Sequence, residues 1–202
     1  IGTNNGVSKY DPLKQFFDHI RHKIDDPNSL NDKTVWSITE DANGIVWIGT
    51  REGINAVDRK RNKYYRFAYK SNNPNVLNNN SVLGLFFDSE GTLWAGATDG
   101  LYKIQVAADY SSAKFISVPY RRALNAFSDT RVYKIAEDRD GFLWIAAKEG
   151  LSRLNKETGE FNFYQNIPSD NTSLPSNQVR NVFCDSKGNI WVCTDAGGLT
   201  KV

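Results

Sequence analysis

Four aspartates, Asp41, Asp88, Asp138 and Asp185, each stand three residues ahead of a glycine, in the stretches DANG, DSEG, DRDG and DSKG. Carboxylates beside a tight glycine turn are what a calcium loop or the acid pair of a hydrolase would use. Spacing argues against both. A calcium hand needs its first carboxylate five residues ahead of the glycine, and Thr39, Ala136 and Phe183 hold that place before Gly44, Gly141 and Gly188. An acid pair needs two carboxylates at one defined separation, whereas these recur at the same point of every turn. Bonding to local backbone amides accounts for them there.

The other candidates for chemistry are few. His19 and His22 have no third ligand nearby, so they read as surface residues. Cys184 and Cys193 have no metal-ligand spacing and do not face each other across a hairpin turning at SKGN; they read as free, buried thiols. The expectation is a chain with no catalytic residue, no metal and no cofactor.

The elements that carry these residues are repeats. VWSITEDANGIVWIGTREGI from Val35, VLGLFFDSEGTLWAGATDGL from Val82, VYKIAEDRDGFLWIAAKEGL from Val132 and VRNVFCDSKGNIWVCTDAGGL from Val179 are four copies of one pattern. Trp47, Trp94, Trp144 and Trp191 each follow their valine by 12 residues and precede Gly53, Gly100, Gly150 and Gly197 by six. Short apolar or alternating runs such as Val35-Trp36-Ser37-Ile38 predict strands. Each unit reads as four short antiparallel strands, with the aromatic-rich KYYRFAY or EFNFYQ as the last. Four-stranded units at periods of 47, 50 and 47 residues predict an all-β fold of β-propeller blades.

Loops rich in Asn, Asp, Ser and Pro separate the units, and Leu30, Leu77 and Leu174 each stand five residues ahead of the next valine as packing anchors. The linker PYRRALNAFSDT is longer and explains the 50-residue period. Ile1-Gly2-Thr3 matches Ile48-Gly49-Thr50, so the sequence predicts a partial blade over 1–21, blades over 35–69, 82–118 and 132–165, and a partial blade over 179–202. Such a segment is expected to be part of a larger propeller of six to eight blades rather than to close a ring of four. Open blade faces would favour a homodimer or contact with a second propeller.

Composition excludes several classes. With 40% hydrophobic residues, 24% charged residues and a net charge of +2, the chain is globular and shows no nucleic-acid footprint. It has no apolar run near the roughly 20 residues of a membrane helix, so no direct membrane contact is expected of it.

In a propeller, the loops entering the inner strands and those joining second and third strands open on one face. Residues that vary between copies there are the informative ones. Trp36 and Tyr133 are candidates to stack on a sugar ring; Arg51, Arg131, Lys148 and Arg180 are candidates to bond hydroxyl, uronate or sulfate groups.

SLNDKTVWSITEDANGIVWIGTREGINAVD resembles the two-component regulator propeller repeat, and the similarity covers nearly the whole chain. The resemblance implies the periplasmic sensor region of a hybrid two-component regulator, with its histidine kinase module outside this chain. It also implies recognition of an oligosaccharide released from a polysaccharide. A protein-interaction scaffold is the alternative, and a polysaccharide-active enzyme a more distant one.

Overall fold

Apolar runs joined by Asp-x-x-Gly turns fold as hairpins because glycine takes the positive φ that closes the turn. The computed structural model describes residues 2–4, 6–11, 16–67, 81–119 and 130–202, and these form eighteen strands in five antiparallel sheets with no helix among them. Gly44, Gly91, Gly141 and Gly188 sit at φ of 78°, 78°, 81° and 85°.

Every sheet is a meander in chain order. The first comprises β1 (Gly2–Thr3), β2 (Gly6–Asp11) and β3 (Phe16–Ile20). The second comprises β4 (Val35–Glu40), β5 (Val46–Thr50), β6 (Gly53–Asp58) and β7 (Lys63–Phe67). The third runs through β8 (Val82–Phe87), β9 (Leu93–Ala97), β10 (Gly100–Val106) and β11 (Ala113–Val118). The fourth runs through β12 (Val132–Glu137), β13 (Leu143–Ala147), β14 (Gly150–Leu154) and β15 (Phe161–Tyr164). The fifth holds β16 (Val179–Cys184), β17 (Ile190–Thr194) and β18 (Gly198–Lys201). The inner strands meet in sequence, β4 against β8, β8 against β12 and β12 against β16, which is the arrangement of propeller blades around an axis. The all-β propeller fold is the one the repeats predict.

The core lies between blades. Trp47 packs with Leu85, Leu93 and Phe115 of the next sheet. Trp94 packs with Ile135 and Leu143, and Trp144 with Val182 and Val192. Burying an indole of this size supplies a gross stabilisation of about 4–6 kcal/mol. The polar end of each ring has a fixed partner: Trp47, Trp94, Trp144 and Trp191 donate Nε1–H to Asp41, Asp88, Asp138 and Asp185 at 3.1, 2.8, 2.8 and 2.9 Å. The other oxygen of each aspartate accepts two turn amides, those of Asp140 and Phe142 in the case of Asp138. The sequence foresees the amide bonds but not the indole bond.

Blades approach closely near the axis. A Cβ added to Gly49 would lie 2.9 Å from the Val82 carbonyl oxygen, and one on Gly96 only 2.7 Å from that of Val132. The corresponding register positions in the next two sheets are Ala146 and Cys193.

Two expectations need correction. In the last sheet Thr194 pairs with Gly198, where Thr50 pairs with Gly53, so Gly198 and not Gly197 opens the third strand. Its turn has one extra residue, and Ala196 takes a φ of 63° within it. Cys184 and Cys193 are free but not buried: the first is half-buried and the second exposed, on a sheet face that no further described sheet covers. Of the linker leucines, Leu30 and Leu174 are buried, as packing anchors should be. Leu77, Ile1 and residues 120–129 of the long linker lie outside the described residues.

Candidate functional site

A β-bulge interrupts each inner strand at the same place. Val35 pairs with Thr50, yet Ser37 pairs with Gly49, leaving Trp36 unmatched. The same jump leaves Leu83, Tyr133 and Arg180 unmatched in β8, β12 and β16. A bulged residue is released from strict in–out alternation, so its side chain can be aimed where a regular strand would not put it. Here all four residues line one pocket of about 370 Å³ at the axis, together with Gly2, Lys134 and Asn181. All five sheets contribute to it. Trp36 is 52% exposed, an unusual amount for an indole and enough to present a ring face to a ligand.

Tyr133 and Arg180 form a fixed wall. The Arg180 guanidinium lies 4.8 Å from the centroid of the Tyr133 ring, a cation–π distance. It also donates through Nε and Nη2 to Asp195 Oδ2 at 2.8 and 2.6 Å. The hydrogen bond with Asp195 raises the pKa of Arg180 and lowers that of Asp195.

The remaining candidates stand outside this pocket on the same edge. The second-turn amides of Arg51, Thr98, Lys148 and Asp195 donate to the carbonyls of Thr34, Ser81, Arg131 and Gln178 at 2.9–3.2 Å, which joins the two loop sets as the loop argument requires. Arg51 turns away to Asp32 at 3.2 Å and Glu52 at 3.9 Å. Arg131 and Lys148 are joined by their backbone bond, and neither lines the axial pocket. The sequence reading therefore brings three of its six candidates, Trp36, Tyr133 and Arg180, into one site. Leu83 varies at the same place but was not among the six, and Lys134 and Asn181, one position further along, were missed.

Both histidines have local partners. His19 Nδ1 is 3.0 Å from Ser8 Oγ, and His22 Nδ1 is 2.7 Å from the Leu30 carbonyl. Among the described residues no three His, Cys, Asp or Glu side chains cluster as metal ligands.

Comparison with known proteins places the repeat. Residues 29–52, 76–99, 126–149 and 173–196 match the two component regulator propeller family. Histidine kinase P4 of Formosa agariphila is 32% identical over 74 residues, which is 36% of this chain and 5% of that protein. The extracellular domain of a hybrid two component system from B. thetaiotaomicron superposes with a TM-score of 0.79 at 21% identity, covering 99% of this chain and 25% of that one. An inactive virginiamycin B lyase from Staphylococcus aureus, solved with quinupristin, superposes with a TM-score of 0.63 at 15% identity over 96% of this chain and 61% of its own. At such identities the two structures share the fold alone. The chain spans only a small part of the kinase and a quarter of the solved extracellular domain.

Proposed function

The chain is built from the repeat of the two component regulator propeller family, and from that premise we infer that it is the ligand-sensing propeller of a hybrid two-component signalling protein. It works outside the cytoplasm, in the periplasm, and recognises an oligosaccharide at the axial pocket. The kinase relative and the extracellular-domain neighbour support this setting. The observation that carries the site is the set of four bulges, which bring Trp36, Leu83, Tyr133 and Arg180 to one pocket.

Repeat-constant residues are spent on architecture: the aspartates on turns and indoles, the tryptophans on blade packing. Recognition falls to what varies. An exposed indole offers an apolar plane to the C–H face of a pyranose, and polar neighbours fix its orientation through hydroxyl bonds. Arg51, Arg131 and Lys148 form an outer polar rim around that contact. The four repeat aspartates, engaged in turns and indole bonds, are not an acid pair for hydrolysis, which supports a binding role.

Calorimetric titration with a series of oligosaccharides tests this reading. Saturable binding is expected, and Trp36→Ala should weaken it about tenfold or more while leaving the urea midpoint unchanged. Silence with every oligosaccharide, together with a stoichiometric protein partner in pull-down, would replace the sensor with a scaffold.

A further inference from the structure

Lys134 directly follows the bulged Tyr133 and lines the axial pocket. At the same register position the other blades carry Ser37, Gly84 and Asn181, none of them charged. The pocket lining holds two cations, Lys134 and Arg180, and no carboxylate. They differ in status. Arg180 is neutralised by Asp195 at 2.6 Å and its face is taken up by Tyr133. The Lys134 ammonium makes neither an ion pair nor a hydrogen bond with a described residue, and its side chain is half-buried.

One unmatched cation beside an open indole is a combination with a definite complement. A concave wall raises the weight of a single charge by holding water away from it. We propose that Lys134 is a specificity-determining residue of the axial pocket, selecting a saccharide that bears an anionic substituent, a carboxylate or a sulfate ester. The proposal rests on the reading of this pocket as the saccharide site. Trp36 contributes the contact common to all pyranoses, and Lys134 the preference among them. The charge is delivered by one blade, so the acidic group of the bound sugar faces β12.

The experiment is calorimetric titration of the protein with an oligogalacturonate, a carrageenan oligosaccharide, which bears sulfate esters and no carboxylate, and neutral cellotriose, at low and high salt. An anionic probe should bind about tenfold or more tightly than cellotriose, with the advantage shrinking at high salt. Lys134→Met should bring that probe to the level of cellotriose while the affinity for cellotriose and the urea midpoint stay unchanged. Which anionic probe gains identifies the carboxylate or the sulfate as the recognised group. Equal or tighter binding of cellotriose, sensitive to Trp36→Ala but not to Lys134→Met, overturns this inference and leaves the saccharide sensor standing. Silence with all three probes overturns both.

Discussion

The indole N–H of Trp144 donates to Asp138 Oδ2 at 2.8 Å, while Oδ1 of the same carboxylate holds the turn amides of Asp140 and Phe142. One side chain thus couples the closing of a hairpin to the placing of the residue that packs the next blade. The pairing recurs in Asp41–Trp47, Asp88–Trp94 and Asp185–Trp191. A residue type that looked like a metal or acid site serves instead as an internal strut.

Removing the strut should cost stability and nothing else. Asp138→Ala leaves the indole and two amides without their acceptor, and Arg153 without its ion pair at 2.9 Å. A loss of about 2–4 kcal/mol is expected in urea unfolding. Ligand affinity of the folded fraction should be unchanged, because Asp138 is at the end of the blade away from the bulges.

A second strut crosses between blades. Lys156 Nζ lies 2.7, 3.0 and 3.4 Å from Glu137, Glu90 and Asp88, with its own side chain only 10% exposed. Burial opposes its charge, but the hydrogen bonds to Glu137 and Glu90 and the charge of Asp88 outweigh it and raise its pKa. Lys156→Met should therefore destabilise the protein by about 3 kcal/mol, since Glu137 and Asp88 stay buried without a counter-ion. The preceding blade carries Phe87 at the register position of Glu137, and Val106 at the same distance after Trp94 as Lys156 stands after Trp144. The double variant Glu137→Phe, Lys156→Val should accordingly regain more than half of that loss in the same measurement.

Close approach of the blades gives a third test. Gly96→Ala places a methyl 2.6 Å from Val132 Cγ1 and 2.7 Å from its carbonyl oxygen. A loss of about 1–3 kcal/mol is expected by thermal or urea unfolding. The reverse change, Ala146→Gly, relieves no such clash and removes a fully buried methyl, so it should lower stability by that loss together with the backbone entropy of glycine, about 1–2 kcal/mol.

Acid should loosen the last sheet. The indole bond from Trp191, then the side-chain bond from Asn189, hold the Asp185 carboxyl well below the usual carboxylate range, against a smaller opposing effect of burial. A group with a depressed folded pKa contributes stability that is present above its unfolded value of about 3.9 and is lost as pH falls towards the folded one. Urea midpoints should therefore decline below about pH 4, and the decline should be shallower in Asp185→Asn.

What the sequence disclosed and what it withheld have a common cause. Constant spacing betrays constant geometry, so the blades, the turn glycines and the core tryptophans could all be read from four aligned copies. The bulges could not, because an extra residue in one strand shows only against its partner: nothing in Val35-Trp36-Ser37 says that Ser37 and not Trp36 meets Gly49. For that reason Lys134 escaped notice while Lys148, in an obvious loop, did not. The ion pair of Arg51 was hidden in another way: its partner Asp32 is nineteen residues upstream and belongs to the linker. Constant spacing matched Gly197 to the glycines of the other copies, and only the pairing of Thr194 with Gly198 shows the extra residue in that turn.

The small residues between blades carry a meaning beyond packing. Gly49 and Gly96 let the second strand of one blade come nearly into backbone contact with the inner strand of the next, whereas Ala146 and Cys193 hold the same position with larger groups. Each such residue fixes the angular step from one blade to the next. The bore of the central channel is the sum of those steps, so residues that touch no ligand gauge what the ring can admit.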